Sequence, residues 1–190
     1  MQMHKLGYFA EFVVFPPLVI GLSIVAFRDS APLHATTWML SFAFGVVLWT
    51  LLEYLLHRFI FHHAPIISEI HEQHHDDPMA LIGAPAWTSF VLALLGVLFP
   101  LWLLVGLSVA AGITGGAICG YLWYVLVHYA SHHWHPRHGS YLYRVRVRHA
   151  RHHYAHDEGN FGVTVEFWDW VFRTQLDRPS RRVQPNDAAG

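Results

Sequence analysis

The sequence predicts an all-α integral membrane protein, a four-helix bundle that carries a histidine-rich helical cap on its cytosolic side. Three observations lead there. Hydrophobic residues make up 54% of the 190 and charged ones only 13%, with a mean hydropathy of +0.30. No Asp, Glu, Lys or Arg occurs between Pro78 and Pro136, and each such charge at the centre of a membrane helix costs about 2.5–3.5 kcal/mol. Histidine is abundant, at 17 residues.

Four apolar segments reach the roughly 20 residues that a helix needs to cross a bilayer. The first covers about residues 7–27. Glu11 and the Pro16-Pro17 pair interrupt it, which argues against a cleavable signal peptide. The second, about 35–56, runs without a break into His57-Arg58-Phe59-Ile60-Phe61-His62. The third and fourth, about 86–105 and 108–129, are joined through Gly106-Leu107-Ser108, too short for anything but a tight hairpin. Gly112, Gly115, Gly116 and Gly120 in the fourth allow close helix packing within lipid. The chain reads as one domain over residues 1–176, followed by a disordered tail over 177–190.

With four crossings, the N-terminus, the loop after His57 and everything beyond Tyr129 share one side. That side holds eleven of the twelve Lys and Arg residues, and the other holds Arg28 alone. The positive-inside rule makes the histidine-bearing side and both termini cytoplasmic. Cys119 is the single cysteine, which excludes a disulfide framework and any Cys-rich zinc or iron–sulfur site. A net charge of -1, without a nucleic-acid-binding motif, excludes nucleic-acid partners.

Ten histidines fall into four patterns. His57 and His62 are five apart at the end of the second segment. His71, His74 and His75 form His-x-x-His-His. His128 and His132 are four apart at the end of the fourth segment. His149, His152 and His153 form a second His-x-x-His-His. On a helix, residues three and four apart share a face, so each box aims three imidazoles at one region. Its two later members flank the first, which suits two neighbouring metals. A structural zinc site closes with four ligands; ten imidazoles divide as five per ion and point to a dinuclear centre. Glu53, one turn before His57 at the membrane boundary, is expected to be a buried partner that orients an imidazole. Asp76, Asp77, Asp157 and Glu158 fit either that role or solvation. His4 and His34 read as surface residues. His63, His133, His135, His138 and His156 read as outer or solvated groups. The rival to a metal centre is a hydrated, pH-sensing surface, which two identical boxes and two helix-end pairs do not suggest.

These motifs carry a resemblance. Glu53–His62, His71–His75, His128–His132 and His149–His153 resemble the fatty acid hydroxylase and sterol desaturase superfamily over about residues 53–174. Gly139-Ser140-Tyr141-Leu142-Tyr143, the second box and the stretch from Phe161-Gly162 through Trp168-Asp169 to Phe172-x-Thr174 look most like its fatty acid 2-hydroxylase branch. The resemblance implies a four-helix membrane oxidoreductase with a cytosolic metal-binding cap and two metal ions. Some relatives fuse a haem domain as electron donor; 190 residues leave no room for one here, so a separate electron-donor protein is expected. The gap from His62 to His71 is short, a departure from the family pattern that bears on the shape of the substrate entrance.

The expected reaction is hydroxylation of a long-chain fatty acyl lipid at carbon 2, with O2 as co-substrate and two electrons. Iron is the expected catalytic metal, because zinc has no redox chemistry; zinc binds such imidazole sites more tightly and can occupy them in a purified sample. Trp87, Trp102, Trp123 and Tyr124 are either interfacial anchors or a lining for the acyl chain. Arg144, Arg146, Arg148 and Arg151 are expected against anionic headgroups, with a substrate carboxylate as the other reading. Two alternatives stand beside this function. One is a different oxidase of the superfamily acting on a sterol, a carotenoid or an acyl chain as a desaturase. The other is a metal transporter or storage protein, which would place its ligands at the bilayer midplane rather than at helix ends.

Overall fold

The computed structural model describes residues 2–27, 32–155 and 158–176. Among these, regular structure is helical, and the β-type pairing is one isolated bridge between Gln2 and Ile82. The tail expected at 177–190 lies outside the described residues, as do Arg28, His156 and Asp157.

Four helices are long and apolar enough to cross a membrane: Lys5–Ala26, Ala35–Phe61, Ala86–Val105 and Leu107–His133. The chain is a multi-pass membrane protein. The second and fourth outrun the expected segments at the ends that carry histidines. The first combines α1 (Lys5–Tyr8) with α2 (Glu11–Ala26), which carries Pro16 and Pro17 inside it and so loses two backbone donors. The second is α3 (Pro32–Leu55) followed by a π-helical turn, Leu56–Phe61. The third is α5 (Ala86–Val91), a π-helical stretch Leu92–Leu98 and α6 (Phe99–Val105). The fourth is α7 (Leu107–His133).

α7 is the axis of the fold. α3 lies along it, and α2 and α6 pack on it as well. The glycines explain the closeness: a Cβ at Gly116 would overlap the Phe42 carbonyl oxygen, and one at Gly120 would lie 2.7 Å from Trp49 Cβ. The third span has no buried residue, and Trp87, Leu92, Leu95 and Leu103 face outward. The hairpin between α6 and α7 is tighter than the sequence suggests. Gly106 alone makes it, at φ 81°, a conformation that glycine adopts without a Cβ penalty.

Glu11, which the sequence shows only as an interruption, is buried and ties three spans together. Its Oε1 accepts hydrogen bonds from Ser89 Oγ at 2.8 Å and from Tyr121 OH. A carboxyl group at membrane depth survives only with such partners.

Three short helices complete the fold. α4 (Ile67–Asp76) and α8 (Tyr141–Tyr154) carry the two His-x-x-His-His boxes, and α9 (Phe167–Phe172) packs on α3. Ser140 caps α8, its side chain accepting from Tyr143 N at 3.2 Å.

Candidate metal centre

The structure gathers all ten patterned histidines and sorts them into two groups of five. One contains His57, His62, His71, His75 and His152; the other contains His74, His128, His132, His149 and His153. Within each group the candidate ligand atoms lie within 4.8 Å of one another. The sorting follows helix geometry. In each box the first and last histidines, four apart, go to one group, while the middle one crosses to the other: His71 and His75 against His74, His149 and His153 against His152. Each helix-end pair joins the box that follows it in the chain, so the two groups are related by an approximate exchange of halves.

His57 and His62 need more than a regular helix. On an α-helix, residues five apart point about 140° away from each other. The π-helical turn Leu56–Phe61 narrows that offset, since its wider coil brings residues five apart nearer to one face. The two rings end up stacked, 5.3 Å between centroids. The five-residue spacing was the signal in the sequence for this turn.

The nitrogens face one another at ligand-like distances. His57 Nε2 is 3.1 Å from His71 Nε2, and His75 Nε2 is 3.1 Å from the same atom. In the other group His149 Nε2 is 2.8 Å from His132 Nε2 and 3.1 Å from His153 Nε2. Two nitrogens bound at about 2.1 Å to one ion and at right angles to each other lie about 3.0 Å apart. Direct hydrogen bonding cannot satisfy such a cluster, because neutral imidazole carries one N–H and the remaining lone pairs converge. His74 Nε2 is buried with no partner at all. The donor set therefore fits a metal ion in each group.

Electrostatics favour the neutral, metal-binding form. Burial, reinforced by neighbouring imidazoles, lowers the pKa of His74 and His75 from 6.5 to about 4. Burial likewise brings His152 to about 3, against the opposing hydrogen bond to Gly159. His62, His149 and His153 shift in the same direction, chiefly through burial.

A loop over residues 159–164 braces the first group. His57 Nδ1 lies 2.6 Å from the Phe161 carbonyl oxygen, and His152 Nδ1 lies 2.8 Å from that of Gly159. Each Nδ1–H donates to its carbonyl, which fixes the tautomer and leaves Nε2 free. Glu53 is buried, as expected, but its partners are not imidazoles. It accepts from Val163 N and Thr164 N, both at 2.7 Å, and from Thr164 Oγ1. It reaches His57 only through the loop. The sequence reading missed Asp169, which does the same from the other side. Its carboxylate is fully buried and accepts from Phe161 N and Gly162 N, both at 2.8 Å, and from Thr174 Oγ1. Arg58 donates to the buried Tyr54 hydroxyl, which in turn meets Thr174 Oγ1 at 3.1 Å.

The clustered arginines find partners within the chain. Arg148 donates to the Gly162 and Val163 carbonyls and to Glu166. Arg146 donates to Trp134 O and Arg144 to Gly139 O. Three of the four clustered arginines thus bind the chain's own backbone, which leaves their guanidinium groups partly engaged before any headgroup is met. Asp76, Asp77 and Glu158 are exposed, as solvated carboxylates are. His4 and His135 are exposed, His63 Nδ1 meets Arg58 O, His133 stacks on Tyr129 and His138 contacts Tyr143. None of these five enters either group. Trp87, Trp102 and Trp123 are exposed on the spans, while Tyr124 stacks on His128, 5.6 Å between centroids.

Comparison with known proteins places this geometry. The family model for fatty acid hydroxylase matches residues 42–174. Fatty acid 2-hydroxylase of Macaca fascicularis is 33% identical over 157 residues, covering 75% of this chain and 41% of the relative. Dihydroceramide fatty acyl 2-hydroxylase FAH2 of Arabidopsis thaliana is 34% identical over 146 residues, covering 70% of this chain and 59% of the relative. The chain thus spans about half the length of these relatives. A solved structure described as full-length scs7p, with only its hydroxylase domain visible, superposes with a TM-score of 0.76 and 29% identity, covering 93% of this chain and 70% of that one.

Proposed function

The chain belongs to the fatty acid hydroxylase family, and from that premise we propose that it is a membrane-bound two-metal oxygenase that hydroxylates a long-chain fatty acyl lipid at carbon 2. The observation that carries the reading is the pair of converging five-histidine groups at the ends of membrane helices. His57, His62, His71, His75 and His152 hold one ion; His74, His128, His132, His149 and His153 hold the other. When bound, a redox-active pair, expected to be iron, supplies the activation of O2, a chemistry closed to zinc. One oxygen atom enters a C–H bond as a hydroxyl, and the other leaves as water with two electrons and two protons. A separate donor protein delivers the electrons.

The protein's own groups prepare this site. Glu53 and Asp169 hold the 159–164 loop, and the loop carbonyls hold His57 and His152 in the tautomer that presents Nε2. The four spans form a membrane bundle, and α4, α8 and α9 form a cap on the cytoplasmic side, which the charge asymmetry favours. The histidines lie at the membrane rim, where an acyl chain buried in lipid presents the carbons beside its headgroup. The names of the relatives, 2-hydroxylases of fatty acids and dihydroceramide acyl chains, agree with that position. Lipid profiling of cells with and without the protein tests the reading. Long-chain 2-hydroxyacyl lipids should accumulate only with the intact chain and not with His71→Ala. Unchanged 2-hydroxyacyl levels alongside new desaturated or sterol products would replace it.

A further inference from the structure

The two histidine groups have the same number of ligands but unequal support. In the first, His57 and His152 donate Nδ1–H to the Phe161 and Gly159 carbonyls. Those carbonyls are held in place by bonds that do not involve the histidines. Glu53 and Asp169 bind the amides of residues 161–164, Arg148 binds the Gly162 and Val163 carbonyls, and Asn160 N donates to Thr174 O at 2.8 Å. Asn160 itself takes φ 55°, an uncommon conformation for a side-chain-bearing residue, which turns the loop back on itself. In the second group, the imidazole hydrogen bonds among the described residues run only to other imidazoles. The Nδ1 atoms of His149 and His153 are buried with no partner. Those rings have no acceptor to select their tautomer or fix their rotation.

We propose that the two metal positions are inequivalent: the His57 group is a preorganised, tightly binding position, and the His74 group is a labile one that fills second and empties first. This rests on the reading that each group holds one ion. Carbonyl or carboxylate partners behind ligating imidazoles are worth about 10- to 100-fold in metal affinity. Two supported imidazoles against none therefore predict at least a tenfold difference in dissociation constant. Asp169 is a positioning residue for the tight position only, since it touches the loop and neither histidine group.

The test uses the full chain in detergent, loaded with Zn2+ as a probe and dialysed against graded chelator, with metal counted per chain by mass spectrometry. The expected release has two steps with a plateau at one ion per chain. His153→Ala should retain a tight ion, and His75→Ala only a weak one. Asp169→Asn should weaken the tight step by about tenfold and leave the weak step in place. A single step from two ions to none, or equal affinities in the two histidine variants, overturns the proposal. So does an Asp169→Asn chain that loses both steps equally. The wild-type release curve decides the number of steps even if a variant fails to fold. An intact chain that never binds more than one ion defeats the underlying two-ion reading instead, a different outcome from one-step release of two.

Discussion

Replacing Glu53 by alanine strips three donors of their acceptor at once: the Val163 and Thr164 amides, each 2.7 Å from Oε1, and the Thr164 hydroxyl. Glu53, Val163 and Thr164 are all buried, so water does not simply take its place. Each orphaned buried donor costs about 1–3 kcal/mol, which sets the loss at about 3 kcal/mol or more. The penalty falls on the 159–164 loop. Opening of that loop should become about a hundredfold more frequent, at about 1.4 kcal/mol per factor of ten. Glutamine is the informative contrast. Its carbonyl oxygen can still accept both amides, and the Thr164 hydroxyl can rotate to accept from the new NH2, so Glu53→Gln should cost about 1 kcal/mol or less. Hydrogen exchange followed by mass spectrometry on peptides covering 159–166 reads the effect, with metal content measured on the same samples. Alanine should accelerate exchange and lower metal occupancy, and glutamine should do neither strongly. Unchanged exchange and full metal content in Glu53→Ala would refute the argument that this carboxylate positions the loop.

Three further outcomes follow from the geometry. Gly116→Ala drives a Cβ into the Phe42 carbonyl and should cost about 1–3 kcal/mol, whereas Gly21→Ala, with nothing within 4 Å, should be tolerated; equal melting temperatures for the two would contradict the α3–α7 packing. Burial holds His74 and His75 near 4 in the folded chain against 6.5 when unfolded, so the unfolded state binds more protons between those values. The metal-free protein should keep its full stability above about pH 6.5 and lose it progressively towards pH 4; a thermal midpoint that stays flat over that window would show that the imidazoles are not desolvated. A cysteine at Ser140 in a Cys119→Ser background should resist an impermeant reagent added outside intact cells, and rapid labelling there would reverse the topology.

Much of this was legible in the sequence, for local reasons. A charge-free run between Pro78 and Pro136 can hardly be anything but membrane helix, and helical periodicity converts His-x-x-His-His into a three-imidazole face. Ten histidines suggest five to a group, but the spacing does not say which member of each box crosses to the other group. What could not be read depends on partners far away in the chain. Glu53 meets Val163 and Thr164, 110 and 111 residues on, and no local pattern announces that pairing. Asp169 sat inside a recognised stretch without a reason to be singled out until the Phe161 and Gly162 amides were seen to converge on it. Arg144, Arg146 and Arg148 look like a headgroup-binding run because charge patterning says nothing of backbone carbonyls within reach. Glu11 reads as a defect in a span until Ser89 and Tyr121 are placed beside it.

The central claim, oxygen insertion at carbon 2 of an acyl chain by this histidine centre, is tested most directly with a long-chain fatty acid that carries two deuteriums at carbon 2. It is supplied to cells expressing either the intact chain or His71→Ala, and the acyl lipids are analysed by mass spectrometry. The account predicts loss of one deuterium together with gain of one hydroxyl at that carbon, only with the intact chain. Retention of both deuteriums, with a hydroxyl or double bond elsewhere in the chain, would contradict it.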